Sequence, residues 1–255
     1  MSSIMRVGLA LYSVRDECER DFRGVLRSVA EMGYAGVEFT DLHGFEAHSV
    51  RALLEGVGLE ACGRHTSLEI IETDLQALAA DASELGVKRI IVSSPPVQSA
   101  EEGRTLRARL VLAAQRVADV GLRLGFHNHD YELRRDDTGW CFFNGLREGN
   151  PELLFLELDL GWAWYAGEDP FVLLREAGLP CPLVHVKDFR TRGELSFCPV
   201  GDGVVGYDQR LPRAAASAGV EWLLVEQDRW EASSLDAARR SLVHVRRVLE
   251  EDTRA

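Results

Sequence analysis

Short hydrophobic runs alternate with longer amphipathic stretches along the whole chain. The runs are rich in Val, Ile, Leu and Phe, which is typical of buried strands. They predict strands at residues 4–11, 36–39, 59–63, 89–92, 122–126, 153–158, 183–184 and 222–225. The amphipathic stretches predict helices at residues 21–32, 46–56, 72–85, 101–120, 141–147, 170–177, 207–218 and 233–250.

Glycines stand between several predicted helices and the strands that follow them. They follow several predicted helices directly, at Gly33, Gly86, Gly121, Gly178 and Gly219. A glycine past the last helical turn supplies a left-handed cap, and repetition of helix, glycine and strand indicates βα units rather than hairpins. Eight such units without a long linker predict an α/β fold, a (β/α)8 TIM barrel in a single domain over residues 1–255. A doubly wound open sheet is the alternative.

Length and charge narrow the class of protein. The 255 residues match the ~250 of one barrel domain. The 29 Lys and Arg residues against 41 Asp and Glu give a net charge of −12, whereas nucleic-acid affinity comes mostly from neutralised phosphates. We therefore expect no nucleic-acid partner. A small-molecule substrate remains compatible with this charge, and homo-oligomers are possible.

The hydrophobic runs, the first residues and the cysteines bear on the location of the protein and on the state of its thiols. No apolar run approaches the ~20 residues that cross a bilayer, and the first residues lack the basic segment and cleavage site of a signal peptide. We expect no membrane partner and a cytoplasmic location. The five cysteines are odd in number and show no CxxC spacing, so they predict reduced, mostly buried thiols.

Polar residues stand at the ends of the last four predicted strands. They are His127, Asp159, His185 and Glu226. In a TIM barrel the carboxyl ends of the strands form one face, which carries the active site. Two imidazoles and two carboxylates there predict one divalent metal, with Mn²⁺, Zn²⁺, Co²⁺ or Fe²⁺ suiting such mixed donors. Taken singly, Asp159 could instead cap a turn and His185 could be a core histidine.

Alternation along a strand assigns catalytic candidates beside these ligands. His129 shares a face with His127, and Lys187 shares one with His185. A lysine beside a metal can stabilise an enolate oxygen. Glu226 can also take a proton from carbon next to a carbonyl. We therefore predict Glu226, His129 and Lys187 as the catalytic residues.

Further polar and aromatic residues near the same strand ends are candidates for binding substrate. Glu38 and His65 follow the second and third strands, and Gln227 follows Glu226. Trp162 could form an apolar wall against a sugar ring. The glycine-rich residues 199–206 fit no phosphate-loop template and predict a tight strand-to-helix loop beside the site.

These motifs together resemble the xylose isomerase-like TIM-barrel superfamily, in its sugar phosphate isomerase/epimerase branch. The similarity covers nearly the whole chain, and it is carried by His65 and by residues 11–15 (LYSVR), 33–39 (GYAGVEF), 126–132 (FHNHDYE), 157–159 (ELD), 185–188 (HVKD), 200–203 (VGDG) and 225–228 (VEQD). It implies one divalent metal, often Mn²⁺, held by Glu, Asp, His and Glu on the fifth to eighth strands.

The chain departs from that pattern at two positions. His127 stands where the family carries a glutamate, so one of the two bases of a two-glutamate epimerase is absent. His129 and Glu132 are the candidates to replace it, and Glu132 would then face the substrate. Trp162 stands where many members carry a histidine, which implies a more apolar pocket.

The leading hypothesis for function is a metal-dependent isomerase or epimerase that acts on a sugar, keto-sugar or polyol through an ene-diolate. A lyase or dehydratase acting on a keto-sugar or inositol derivative shares the proton abstraction and is the first alternative. A non-catalytic sugar-binding barrel is the second. Phosphodiester cleavage, as in the DNA-repair relatives, is disfavoured by the net charge of −12.

Overall fold

A computed structural model describes residues 5–147 and 153–253. It contains a closed barrel of eight parallel strands, which confirms the predicted (β/α)8 fold. The strands are β1 (Arg6–Ala10), β2 (Gly36–Phe39), β3 (Glu60–His65), β4 (Arg89–Val92), β5 (Arg123–His127), β6 (Leu154–Asp159), β7 (Leu183–Val186) and β8 (Trp222–Val225). Each strand pairs with its sequence neighbours, and β8 closes the barrel against β1.

The helices cover the barrel and mostly follow the predicted intervals. They are α1 (Arg15–Met32), α2 (Ala47–Val57), α3 (Leu68–Thr73), α4 (Leu75–Leu85), α5 (Ala100–Asp119), α6 (Phe142–Arg147), α7 (Leu160–Tyr165), α8 (Pro170–Arg175), α9 (Arg210–Ser217) and α10 (Ser234–Thr253). In the described part of the chain, no helix is long and apolar enough to cross a membrane.

Some predicted boundaries were wrong. The helix expected at residues 72–85 begins at Leu75, and residues 72 and 73 belong to the end of α3, because Asp74 between the two helices has φ −139°. The third strand was expected to end at residue 63 but runs to His65, and α7 was not predicted. Residue 4, the start of the first predicted strand, lies outside the described residues.

The inside of the barrel is filled toward the amino ends of the strands. Six buried residues pack there: Cys62, Ile91, Phe155, Leu183, Trp222 and Leu224. Gly125 on β5 makes room for this layer, since a Cβ at that position would lie 2.2 Å from the Phe155 ring. The polar groups of the interior are therefore confined to the carboxyl-terminal half.

The loop after β7 is built around one carboxylate. Asp188 accepts hydrogen bonds from the backbone N–H groups of Gly201 at 2.9 Å, Gly203 at 3.2 Å and Val205 at 3.1 Å. A Cβ at residue 203 would lie 2.2 Å from Asp188 Oδ1, so glycine is required there. The predicted tight loop thus exists, and Asp188 anchors it.

Candidate active site and metal centre

A cavity of about 170 Å³ opens at the carboxyl ends of the strands. Its walls come from β1, β2, β3, β5, β7 and β8 and from the residues that follow the strands. The lining residues are Ala10, Tyr12, Glu38, Thr40, His65, Ser93, His127, His129, Lys187, Glu226 and Asp228. Seven of these eleven carry a titratable imidazole, carboxyl or amino group, so this cavity is the candidate active site.

The strand register brings the predicted metal ligands together. Asp159 and His185 are direct partners across β6 and β7. His127 on β5 is level with Glu157, two residues before Asp159 on the same face of β6. These neighbours explain how residues that are far apart in sequence converge on one point.

One donor atom from each predicted ligand lies within 4.8 Å of the others. We call His127, Asp159, His185 and Glu226 the first donor set. His185 Nδ1 lies 2.9 Å from Glu226 Oε2 and 3.9 Å from Asp159 Oδ2. Asp159 also caps α7, because its Oδ1 accepts the Trp162 N–H at 2.8 Å. Oδ1 of Asp159 therefore caps the helix, while Oδ2 points toward the other donor atoms of the first set.

The chemistry of this set fits a divalent cation. Burial lowers the pKa of His127 to about 4, which leaves a neutral imidazole that can act as a ligand. Burial acts to raise the pKa of Glu226, but the charges of Lys187 and His185 hold it well below its ordinary value. A neutral imidazole and ionised carboxylates are the donor forms that such metals require.

Lys187 places a positive charge beside the carboxylates of the first donor set. Its Nζ lies 3.1 Å from Asp159 Oδ2, 2.9 Å from Glu226 Oε2 and 2.9 Å from Asp228 Oδ2. Burial opposes its charge, but these three carboxylates keep the pKa of Lys187 well above its ordinary value. These contacts favour the charged ammonium form of Lys187.

The backbone around Lys187 is tightly held. The Tyr207 hydroxyl donates to the Lys187 carbonyl at 2.8 Å and accepts its N–H at 3.1 Å. Gly161 lies against the same peptide, where a Cβ would come within 2.5 Å of the Lys187 carbonyl oxygen. These contacts fix the direction in which the ammonium group points.

A second group of buried side chains lies on the other side of the His185 ring. His185 Nε2 is 2.8 Å from Glu38 Oε2 and 3.4 Å from Glu157 Oε2. His65 Nε2 bridges the same two carboxylates, at 3.2 Å and 2.8 Å. We call Glu38, His65, Glu157 and His185 the second donor set, since their donor atoms also lie within 4.8 Å of one another.

Charges balance within this second set. Burial acts to lower the pKa of His65, but Glu38 and Glu157 raise it to about 10. Burial also opposes a charge on His185, yet Glu157, Glu226 and Glu38 together hold its pKa well above the usual value. Without a metal, the two imidazoles are thus protonated partners of the carboxylates.

The remaining predicted residues occupy different places. His129 lines the cavity, with Nδ1 2.9 Å from the Tyr131 hydroxyl. Glu132 is buried and accepts the backbone N–H of His129 at 2.8 Å. Trp162 lies under Lys187, whose Nζ is 4.8 Å from its ring centroid. Gln227 lines a neighbouring cavity, and its Nε2 donates to the Arg229 carbonyl at 2.7 Å.

A family model for the xylose isomerase-like TIM barrel matches residues 26–247. The chain belongs to the xylose isomerase-like TIM-barrel family. This result confirms the resemblance found in the sequence motifs.

Curated relatives in this family are distant. The Rhizopine catabolism protein MocC of Rhizobium meliloti is 24% identical, in a match that covers 84% of this chain and 77% of that protein. Inosose dehydratase 1 of Bacillus cereus is 26% identical over 163 residues, covering 54% of this chain and 51% of the relative.

Solved structures agree on the fold. A sugar phosphate isomerase/epimerase from Parabacteroides distasonis ATCC 8503 superimposes with a TM-score of 0.82 at 18% identity, and the match covers 94% of this chain and 97% of that one. At this identity the likeness concerns the xylose isomerase-like fold.

The sequence did not predict two residues that contact the site of the present chain, Glu157 and Asp228. Glu157 contacts His65, His127 and His185, and Asp228 contacts Lys187. Glu157 had a visible signal: it is a charged residue inside the buried run of β6, on the same face as Asp159. It also places a carboxylate 3.2 Å from His127 Nδ1, next to the position where a glutamate was expected.

Proposed function

We propose that this protein is a divalent-metal-dependent isomerase or epimerase of an uncharged sugar or keto-sugar. The observation that carries the proposal is Glu226, an ionised carboxylate that belongs to the first donor set and also lines the cavity. One residue at this place can contact both a cation and a substrate carbon.

His127, Asp159, His185 and Glu226 would hold the cation, with Mn²⁺ the first choice and Zn²⁺, Co²⁺ or Fe²⁺ compatible with the same donors. When bound, such an ion acidifies the carbon next to a carbonyl by polarising the carbonyl oxygen. The protein's part is to orient the substrate and move the proton.

Two groups on different sides of the cavity can move that proton. Glu226 follows β8 and His129 follows β5, and β6 and β7 separate these strands around the barrel. Glu226 takes the proton from carbon and leaves an ene-diolate. Return of a proton by His129, at the neighbouring carbon or on the opposite face of the same carbon, gives the isomer or epimer. Glu226 then releases its proton to solvent and His129 takes one up from solvent, which restores both groups.

Lys187 stabilises the negative oxygen of the ene-diolate. Lys187 is a lining residue of the cavity, and its amino group is held in the charged form by the three carboxylates around it. Such a preorganised cation acts where charge develops in the transition state.

Size and charge of the cavity favour a small, uncharged substrate. Its volume of about 170 Å³ is below the ~300–1,000 Å³ of pockets for drug-sized ligands, which suits a single sugar ring. Among the described residues, no arginine lines it, and its lysine is already paired with carboxylates. Glu226 in the wall has its pKa held well below its ordinary value, and its negative charge would repel a phosphate.

Solvent exchange tests the proposal directly. The protein is stripped with a chelator, reloaded with Mn²⁺ and incubated in D₂O with a panel of keto-sugars, each with and without phosphate. We expect metal-dependent deuterium incorporation into unphosphorylated substrates, lost in Glu226→Gln. Glu221→Gln is the matched control, since Glu221 precedes β8 at the opposite end and pairs with Arg89. Binding of sugars without exchange would contradict the enzyme and favour a sugar-binding barrel.

Dehydration of an inosose or a keto-sugar is the second candidate. It is favoured by the similarity to an inosose dehydratase and by the histidine at position 127, which leaves Glu226 as the one glutamate of the first donor set. The first step is the same proton abstraction by Glu226, and that proton then passes to the β-hydroxyl, which leaves as water. Product mass separates the two reactions, because isomerisation conserves mass and dehydration loses 18 Da, about the mass of one water.

A further inference from the structure

The second donor set has the composition of a metal site in its own right. Glu38 and His65 come from β2 and β3, and Glu157 and His185 come from β6 and β7 across the barrel. Two carboxylates and two imidazoles suit Zn²⁺, Co²⁺ or Mn²⁺. The charge of two carboxylates matches that of one divalent ion.

Distances around this set fit a small coordination sphere. Bonds of about 2.0–2.2 Å from a tetrahedral ion put neighbouring donors about 3.3–3.6 Å apart. The four imidazole-to-carboxylate contacts measure 2.8, 2.8, 3.2 and 3.4 Å. A small expansion of the set would therefore admit an ion, without a change in which residues face one another.

Unpaired oxygens provide an independent indication of a ligand. Glu38 Oε1 and Glu157 Oε1 are buried and have no hydrogen-bond partner, and both side chains are at most 1% exposed. A buried carboxylate oxygen without a partner is costly. Coordination of a cation through both oxygens of a carboxylate would relieve that cost.

The second donor set is open to the active-site cavity, from which a metal ion can reach it. Glu38 and His65 line the same cavity as Glu226, so an ion that enters the active site can reach either donor set. Glu38 lies two residues after Gly36, whose Cβ position would face Cys62 and Trp222 inside the barrel, so strand alternation turns the Glu38 side chain to the same interior face.

We propose that Glu38, His65, Glu157 and Nε2 of His185 form a second divalent-cation site, which shares His185 with the first donor set. His185 offers Nδ1 to the first set and Nε2 to the second. A neutral imidazole has one free lone pair, so the ring serves one ion at a time. The two sites are therefore alternatives, and the protein binds one ion per chain. This inference does not depend on the reaction proposed above.

Cobalt binding distinguishes the two sites. Asp159→Asn removes a ligand of the first set. Glu157→Gln removes a ligand of the second set, together with the carboxylate that lies 3.2 Å from His127 Nδ1, so His65→Gln is made beside it. We expect each variant to bind one Co²⁺ per chain, up to about 100-fold more weakly than the unsubstituted protein, with different visible absorption spectra. The double variant is expected to lose at least a further 100-fold, about 2.7 kcal/mol.

Nitrogen chemical shifts assign the second site directly. Zn²⁺ added to ¹⁵N-labelled Asp159→Asn protein is expected to shift the His65 Nε2 resonance. His65→Gln replaces Glu157→Gln as the second-site variant if the latter does not fold. Glu55→Gln is the surface control, because Glu55 pairs with Arg51 far from the cavity. Complete loss of metal binding in folded Asp159→Asn protein, or an unmoved His65 resonance in zinc-loaded Asp159→Asn protein, would overturn the inference.

Discussion

The two donor sets on either side of His185 contain the same side-chain chemistry but differ in what balances their charge. Lys187 lies among the carboxylates of the first set, whereas the second set has imidazoles alone as its cationic partners. The first set therefore keeps a fixed positive charge that can act on a substrate. In the second set, positive charge has to come from protons or from a metal ion.

Removing the shared residue is expected to have the largest effect. His185→Ala leaves Glu38 and Glu226 without a partner that now lies within 2.9 Å of each. Breaking a buried ion pair costs roughly 3–5 kcal/mol, because the remaining charge stays desolvated. We expect a loss of this size in the free energy of unfolding, measured with urea in the presence of a chelator.

His48→Ala is the control for that experiment. His48 is exposed and lies 3.7 Å from Glu84 on the surface, so its loss should change stability by less than about 0.5 kcal/mol. Equal stability of His185→Ala and His48→Ala would show that the two donor sets are not coupled through this ring.

Replacing Lys187 tests the difference between the sets. If the ammonium stabilises the negative oxygen of the reaction, Lys187→Met should lower kcat by about 100- to 1,000-fold, with little change in KM. Lys187→Arg should also be impaired, because a planar guanidinium cannot reproduce three contacts from one point charge.

The chain offers one matched control, since Lys88 is its other lysine and is exposed. Lys88→Met should leave kcat unchanged. A kcat for Lys187→Met within about threefold of the unsubstituted enzyme would assign Lys187 to charge balance alone.

The same contrast explains what the sequence could predict. The first donor set comes from four consecutive strands, and each member stands at a strand end, so a count of βα units places all four residues on one face. The second set crosses the barrel from β2 and β3 to β6 and β7. The sequence placed Glu38 and His65 at strand ends, but the order of the strands does not show that they meet Glu157 across the interior. Glu157 lies inside a run that reads as core, and its role depends on the register with His127.

One predicted helix boundary was wrong because of a local feature of the backbone. The predicted helix began at residue 72, but residues 72 and 73 end α3, and Asp74 at φ −139° separates them from α4. Periodicity records which face is buried and does not record a single non-helical residue.

Stability of the metal-free protein should depend on pH in opposite directions for the two sets. His127 has its pKa lowered to about 4, so the unfolded chain binds more protons between about pH 4 and 6.5 and stability rises with pH there. His65 has its pKa raised to about 10, so stability falls as pH rises from about 6.5 to 10. We expect a maximum near pH 6.5 in urea titrations.

Single substitutions separate the two limbs of that profile. His65→Gln should reduce the slope of the alkaline limb, to which His185 also contributes because its pKa is raised, and His127→Gln should reduce the slope of the acid limb. An alkaline limb that is unchanged in His65→Gln would contradict the ion pairs assigned to the second donor set.

The smallest expected effect concerns the aromatic face under Lys187. The ammonium lies 4.8 Å from the Trp162 ring centroid in a buried setting, where a cation–π contact is worth up to about 2 kcal/mol. A double-mutant cycle with Trp162→Leu and Lys187→Met should give a coupling free energy of about 0.5–2 kcal/mol. The pair Trp164 and Arg192 is the comparison, since Arg192 is exposed and lies 4.3 Å from its ring. Its coupling should be smaller, because water already solvates that guanidinium. Equal coupling in both pairs would mean that burial does not strengthen the contact, and Trp162 would then be a packing residue rather than part of the charge balance of the first set.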